Sequence, residues 1–348
     1  MNGIRFGLAA LASALGLLML TPLLLLGLPL AAVMWMVGRL ARVMEPPVVR
    51  WPEIYQFDPL LGWKAKPDLD CHVLEERHDI FHVITDKFGW AGKATLDESN
   101  MVVLGDSHAW GYSVDHREAF FNLDRRLRIK TIGAPGYNMV QEVLLLEQLA
   151  HHLKGKHVVW FVYIGNDLSD NLSPEIEGYR APFLRQAQGQ DQWEIVARHL
   201  SPDKWKCSDN AKLQRFYALH PALHSETFYA TRAYAACEFL LARGSRVCRE
   251  AGAELVVMSI PALVTISDAH MQAHCKARSF TQATDRELPD RKLGEICRRL
   301  EVPFEPLAKH LTVRHYREVD DHWTEAGHRE VARVLWNIHC RRKPEAHA

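Results

Sequence analysis

Apolar and polar positions follow three different rhythms along the chain. From Phe6 to Gly38 no residue is charged. As a straight helix this stretch would run roughly 50 Å, against a hydrocarbon core of about 30 Å. It also exceeds the apolar region of a cleavable signal peptide. Residues 1–44 are therefore read as an uncleaved membrane anchor, kinked at Pro22 and Pro29 or strongly tilted. Glu45-Pro46-Pro47 then marks a linker, and residues 45–98 carry short extended runs such as His78–Thr85, punctuated by Gly62, Gly89 and Gly92. That predicts a small β-rich lead-in. From about residue 100 short apolar blocks alternate with amphipathic stretches. Met101–Leu104, Ile129–Ile132, His157–Ile164 and Ala253–Ile260 predict strands; Arg117–Arg128, Met139–Leu153, Thr227–Ala251, Leu288–Leu300 and Thr324–Cys340 predict helices. The alternation predicts an α/β domain over residues 99–348, with a parallel sheet covered on both faces. Residues 168–225 and 262–287 break the rhythm and are too long for ordinary turns. They are expected to be insertions that either shape a cleft or elaborate the surface.

Chemistry-bearing residues gather where the predicted strands end, which is where α/β sheets place their active sites. Leu104-Gly105-Asp106-Ser107 follows the first such strand. A strand-to-helix turn there would lift Ser107 to the sheet edge as a nucleophile, its backbone N–H facing a developing oxyanion; the plainer role for such a serine is a helix N-cap. Gly136 and Asn166, after the next two strands, offer a backbone N–H and a side-chain amide as oxyanion donors, or simply good turn chemistry. Far downstream, Asp320-Asp321-His322-Trp323 precedes the last helix. His322 is the candidate base. Asp320 is preferred over Asp321 as the acid that orients it, because neighbouring side chains on an extended segment point to opposite faces.

Composition narrows the field. At 348 residues and 48% hydrophobic the chain can bury one large core. Lys plus Arg and Asp plus Glu number 42 each, so no basic excess suggests a nucleic-acid partner, and the cluster Arg341-Arg342-Lys343 reads as a solvated helix end. Seven cysteines without a CxxC pair argue against a zinc site of the usual spacing. An exported domain could form up to three disulfides, whereas a cytoplasmic one would keep all seven thiols; Cys237, Cys248 and Cys297 fall in helical patterns and read as buried thiols. His310, His315, His322 and His328 are too loosely spaced to predict a metal centre.

Taken together, Gly105-Asp106-Ser107, Gly133-Ala134-Pro135-Gly136-Tyr137, Gly165-Asn166-Asp167 and Asp320 through His328 resemble, in order, the blocks of the SGNH (GDSL-type) hydrolases. Asp58 through Trp63 and Thr85 through Gly89 resemble the lead-in of membrane-anchored bacterial members, so the likeness covers roughly residues 57–340. Many members carry the acid three residues before the histidine, where this chain has Val319; the two-residue spacing with Trp323 following is similar to the alginate O-acetylation proteins and to a subgroup of anchored esterases. The resemblance implies a flavodoxin-like three-layer α/β/α fold and a catalytic set of Ser107, Asp320 and His322, with an oxyanion hole from Ser107, Gly136 and Asn166. It implies ester chemistry through an acyl-serine without metal or organic cofactor. The substrate would be an acyl ester, such as an acylated carbohydrate, and transfer to a cell-envelope polysaccharide the alternative to hydrolysis; a non-catalytic carbohydrate-binding or assembly role is the reading from another class. His108, next to the nucleophile, is expected to be a supporting or surface histidine, or to line the cleft. The resemblance places the domain on the periplasmic side of an inner membrane, whereas Arg39, Arg42 and Arg50 after the apolar stretch favour the cytoplasmic side.

Overall fold

The computed structural model of the chain describes residues 46–75, 80–187, 192–207, 220–317 and 320–341, with His220 and Asp320 described in their backbones alone. The chain divides into two units, residues 1–47 and 48–348, and the second is described below. The predicted anchor, residues 1–44, lies outside the described residues. Among those described, no helix is long and apolar enough to cross a membrane.

Residues 48–84 form five short strands. β1 (Val48–Arg50) runs parallel to β4 (Asp70–Leu74), which pairs antiparallel with β5 (Ile80–Ile84). Between them β2 (Tyr55–Asp58) and β3 (Gly62–Ala65) make a separate antiparallel hairpin.

The central sheet has β6 (Met101–Gly105), β7 (Ile129–Gly133), β8 (His157–Tyr163), β13 (Glu254–Ile260) and β14 (Phe304–Pro306), all parallel. Its spatial order is β14-β13-β8-β6-β7. Numbered within the sheet this is 2-1-3-4-5, the order of flavodoxin-like doubly wound sheets. Side-chain alternation divides the core in two. Met101, Val103, Val159, Phe161 and Met258 face one layer, where α8 (Glu325–Arg341) contributes Val331, Val334, Leu335 and Ile338. Val102, Leu104, Val158, Trp160 and Val257 face the other. That layer is built by α3 (Met139–Gln148), α5 (Phe228–Ala251) and α7 (Leu288–Arg299). Strands buried on both faces need no polar positions, which is why they read as continuous apolar runs. The long α5 is capped by the Thr227 side chain on the Ala230 N–H and stopped by Gly252 in the left-handed region. It lies close on the sheet because Gly244 leaves room: a Cβ there would sit 2.3 Å from the Trp160 ring.

The amphipathic stretch Arg117–Arg128 is not the helix its pattern predicts. Only α2 (Phe120–Leu123) is helical. The Asp124 carboxylate accepts the Arg126 backbone N–H at 2.9 Å and its guanidinium as well, a local turn that competes with helix propagation. The irregular stretches carry short elements: the ribbon β9 (Glu175–Ile176) and β10 (Tyr179–Arg180), the ribbon β11 (Phe183–Gln186) and β12 (Trp193–Val196), and α6 (Asp268–Ala277). All seven cysteines are unbonded, and Cys237, Cys248 and Cys297 are buried in helices.

Candidate active site

The sheet places Ser107, Gly136 and Asn166 together at its carboxyl edge. Strand β6 ends at Gly105, and the next residues turn into α1 (Ser107–Trp110), a single turn closed by Gly111 in the left-handed region. Asp106, and not Ser107, is the N-cap: its carboxylate accepts the His108 N–H at 2.9 Å. The Ser107 side chain is thus released from capping. Its Oγ lies 2.7 Å from His322 Nε2 although 215 residues separate them.

His322 belongs to β16 (Asp320–Trp323), paired antiparallel with β15 (Tyr316–Arg317). Its ring is enclosed by other rings. His108 stacks on it with centroids 4.9 Å apart and planes at 26°, and Tyr112 lies 4.6 Å away. His108 is therefore no surface histidine. It is 1% exposed, and its Nε2 lies 3.1 Å from the Asp321 carbonyl oxygen. The hydroxyl of Tyr163, at the end of β8, donates to Asp321 Oδ2 at 2.7 Å. Burial, followed by the charge of Asp321, holds that phenol well above its usual pKa. One oxygen of the Asp321 carboxylate is thereby engaged by Tyr163, while the side chain of Asp320, the preferred acid, lies outside the described residues.

The two predicted oxyanion elements are latched to each other. Gly136 has φ +78°, a backbone conformation that calls for glycine, and a Cβ there would sit 3.0 Å from Glu177 Oε2. Asn166, just after β8, donates through Nδ2 to Asp170 Oδ2 at 3.0 Å; Asp170 closes the short helix α4 (Asp167–Asp170). Burial raises the Asp170 carboxyl to about 7, partly offset by the Asn166 hydrogen bond. Asn138 caps α3 with its carbonyl oxygen, and its amide donates to the Asp170 carbonyl at 3.1 Å and the Pro182 carbonyl at 3.0 Å. The Met139 N–H in turn donates to Asn171 Oδ1 at 3.0 Å. Beneath Asn166, the buried Asp167 carboxylate accepts the Tyr163 N–H at 2.7 Å. Its pKa is raised by burial and by Asp106 and Glu142.

Asp106, Ser107, Gly136, Asn166, Asp321 and His322 line one cavity of about 220 Å³, completed by Tyr163, Gly165, Glu177, Val264, His274 and Arg278. Among the described residues, Val264 is the only aliphatic side chain in that lining. A larger cavity of about 700 Å³, bordered by Lys93, Phe121 and Arg125, contains none of the predicted site residues. Sequence reasoning missed Tyr163, Asp170, Glu177, His274 and Arg278. Glu177 had no local signal, because its place beside Gly136 is set by the β9–β10 turn. Asp170 and Tyr163 stood within a few residues of Asn166 and could have been suspected from that alone.

The other candidate histidines disperse. His310 contacts Glu305 at 3.1 Å, and His315 accepts the Thr312 N–H at 3.0 Å. His328 is buried and accepts the Phe120 N–H, its pKa pushed down to about 3 by desolvation and the neighbouring histidines. Among the described residues no group of three or more His, Cys, Asp or Glu is arranged to hold a metal ion.

No protein-family model and no curated protein matches the chain. Solved structures similar to it include TesA, with 12% identity over 68% of this chain and 96% of that one and a TM-score of 0.37. The psychrotrophic esterase EstA from Pseudoalteromonas sp. has 9% identity over 68% and 94%, with a TM-score of 0.36. An acetyl xylan esterase from Geobacillus stearothermophilus has 11% identity over 69% and 93%, with a TM-score of 0.36. At such scores neither activity nor substrate transfers to this chain.

Proposed function

We propose that the protein is a serine-dependent acyl-ester hydrolase that acts through an acyl-serine intermediate on O-acyl groups of carbohydrate. The observation that carries this reading is the 2.7 Å contact between Ser107 Oγ and His322 Nε2 at the floor of a cavity that also holds Gly136 and Asn166. A serine hydroxyl is a weak nucleophile until a base accepts its proton, and an imidazole nitrogen at hydrogen-bond distance is such a base. In this mechanism Ser107 Oγ attacks the ester carbonyl carbon as His322 Nε2 takes the hydroxyl proton. Negative charge moves to the carbonyl oxygen. It is met by the N–H of Ser107, which as the first residue of α1 has no intrahelical acceptor, by the Gly136 N–H, and by the second N–H of Asn166 Nδ2, the first being held by Asp170. Collapse expels the alkoxide, which receives the proton from His322; water then repeats the sequence on the acyl-serine. Asp320 is retained as the acid that steadies the imidazolium, with one Asp321 oxygen already accepting the Tyr163 hydroxyl.

The lining supports a short acyl group on a polar alcohol. The cavity of about 220 Å³ has room for a short acyl group, and Glu177 and Arg278 suit sugar hydroxyls. If a sugar hydroxyl replaces water as acceptor, the same acyl-serine makes the protein an O-acetyltransferase of a polysaccharide. An N-terminal anchor with the domain on the periplasmic side belongs to the same proposal and fits an envelope substrate.

The test follows acetyl release from p-nitrophenyl acetate and from an acetylated sugar by the full-length protein and its Ser107→Ala variant, with fluorophosphonate labelling of Ser107 in parallel. Serine-dependent release from both esters is the expected result. Release from the aryl ester alone would favour transfer. Folded protein that neither labels nor turns over would overturn the reading in favour of a binding module.

A further inference from the structure

We propose that the β2–β3 hairpin is the positioning element of the oxyanion site: Tyr55 and Trp63 clamp the Pro135 carbonyl and so aim the Gly136 N–H at the charge developing on the substrate. The inference rests on the acyl-transfer reading above. The Tyr55 hydroxyl donates to Pro135 O at 3.0 Å and the Trp63 indole N–H donates to the same oxygen at 3.3 Å. A carbonyl oxygen has two lone pairs, and here each meets one donor. Pro135 C=O and Gly136 N–H belong to one peptide unit, which is planar and trans, so they point in opposite directions across it. Holding the oxygen from the hairpin side therefore sets the direction of the N–H on the cavity side. Two donors on the carbonyl also polarise the amide and strengthen its N–H as a donor.

The grip extends along the chain that follows that peptide. The Tyr137 hydroxyl donates to the Trp63 carbonyl at 2.8 Å, and Gln141 Nε2 donates to the Leu61 carbonyl at 2.7 Å. All four hydrogen bonds are buried. The donors themselves are immobilised by rings: Tyr55 packs edge-on against Trp51 and Tyr179, and Trp63 against Tyr137. Hydrogen bonds that merely fastened the lead-in to the α/β domain could end on any exposed carbonyl. Two of these converge on the one whose peptide carries the oxyanion donor.

The experiment uses the full chain, p-nitrophenyl acetate, and fluorophosphonate titration to count functional Ser107. Tyr55→Phe removes one donor and keeps the ring. We expect kcat per titrated serine to fall about 10-fold in Tyr55→Phe and about 100-fold in Tyr55→Phe/Trp63→Phe, with KM within about twofold of the wild type. Lys64→Ala, in the same hairpin but on its half-exposed side chain paired with Asp58, should leave kcat unchanged. A purely structural role would reduce the number of titratable sites and leave kcat per site intact, which overturns the proposal. So does a wild-type kcat in Tyr55→Phe. A wild-type protein that is folded yet not labelled at Ser107 overturns the acyl-transfer reading and this inference with it, whereas normal labelling with an unaffected variant overturns this inference alone.

Discussion

The two arms of the candidate site are held by different means. The arm carrying Gly136 and Asn166 is fixed by direct hydrogen bonds to carbonyls and carboxylates: Tyr55 and Trp63 on Pro135, Asn138 on Asp170, Asn166 on Asp170. Among the described residues, the arm carrying His322 is packed by rings, with His108 stacked on the imidazole and Tyr112 beside it, and its Nε2 meets Ser107 Oγ. In the proposed mechanism the two arms have different tasks. An oxyanion donor helps only if it stands ready in a fixed direction, because stabilising a developing charge must cost no reorganisation. In that mechanism His322 exchanges a proton with Ser107 and then with the leaving group, so its ring must serve two partners. The stacked His108 ring confines the plane of the imidazole.

The contrast can be broken at either arm. Removing the centre itself has the largest effect: Ser107→Ala and His322→Ala should each lower kcat by about 1,000-fold or more, with the double variant little worse than either single one, because the two act as a unit. Next, Asn166→Ala should lower kcat by about 100-fold with KM nearly unchanged, since the lost donor acts on the transition state. Stopped-flow release of p-nitrophenolate measures both. On the other arm, Tyr163→Phe frees the Asp321 carboxylate and should cost only about 10-fold in kcat, if ring contacts keep His322 in place. A loss as deep as that of His322→Ala would mean that the polar contact, and not the stacking, holds the base.

The smallest effect is on stability against pH. His116 and His328 are buried, and desolvation lowers their pKa values to about 4 and about 3 from 6.5. A depressed folded pKa means that the unfolded chain binds the proton first. Stability is then fully present above about pH 6.5 and is lost as pH falls toward 4. Asp170, raised to about 7, works in the opposite sense between pH 4 and 7, and should partly mask the loss. Thermal melts from pH 4 to 7.5 should therefore slope more steeply in Asp170→Asn than in the wild type, and an unchanged slope would remove Asp170 from this account.

Much of the architecture was legible because it depends on local periodicity. Strands buried on both faces have to be apolar throughout, so Met101–Gly105, His157–Tyr163 and Glu254–Ile260 announced themselves, as did the long helix Phe228–Ala251. The stretch around Phe120 misled because one aspartate side chain, Asp124, offers the backbone a turn that no hydrophobic pattern encodes. His108 misled for a different reason: its burial depends on β16, more than 200 residues away.

By itself, then, the sequence determined the parallel α/β sheet and put Ser107, Gly136 and Asn166 at strand ends, because strand period and turn chemistry are properties of neighbouring residues. The tertiary structure decided the rest. It brought His322 to 2.7 Å from Ser107, drew the Asp321 carboxylate to Tyr163, and set Tyr55 and Trp63 on the peptide behind Gly136. Each of these is a contact between segments far apart in the chain. Such contacts are selected by how the layers pack, and no window of neighbouring residues contains that information.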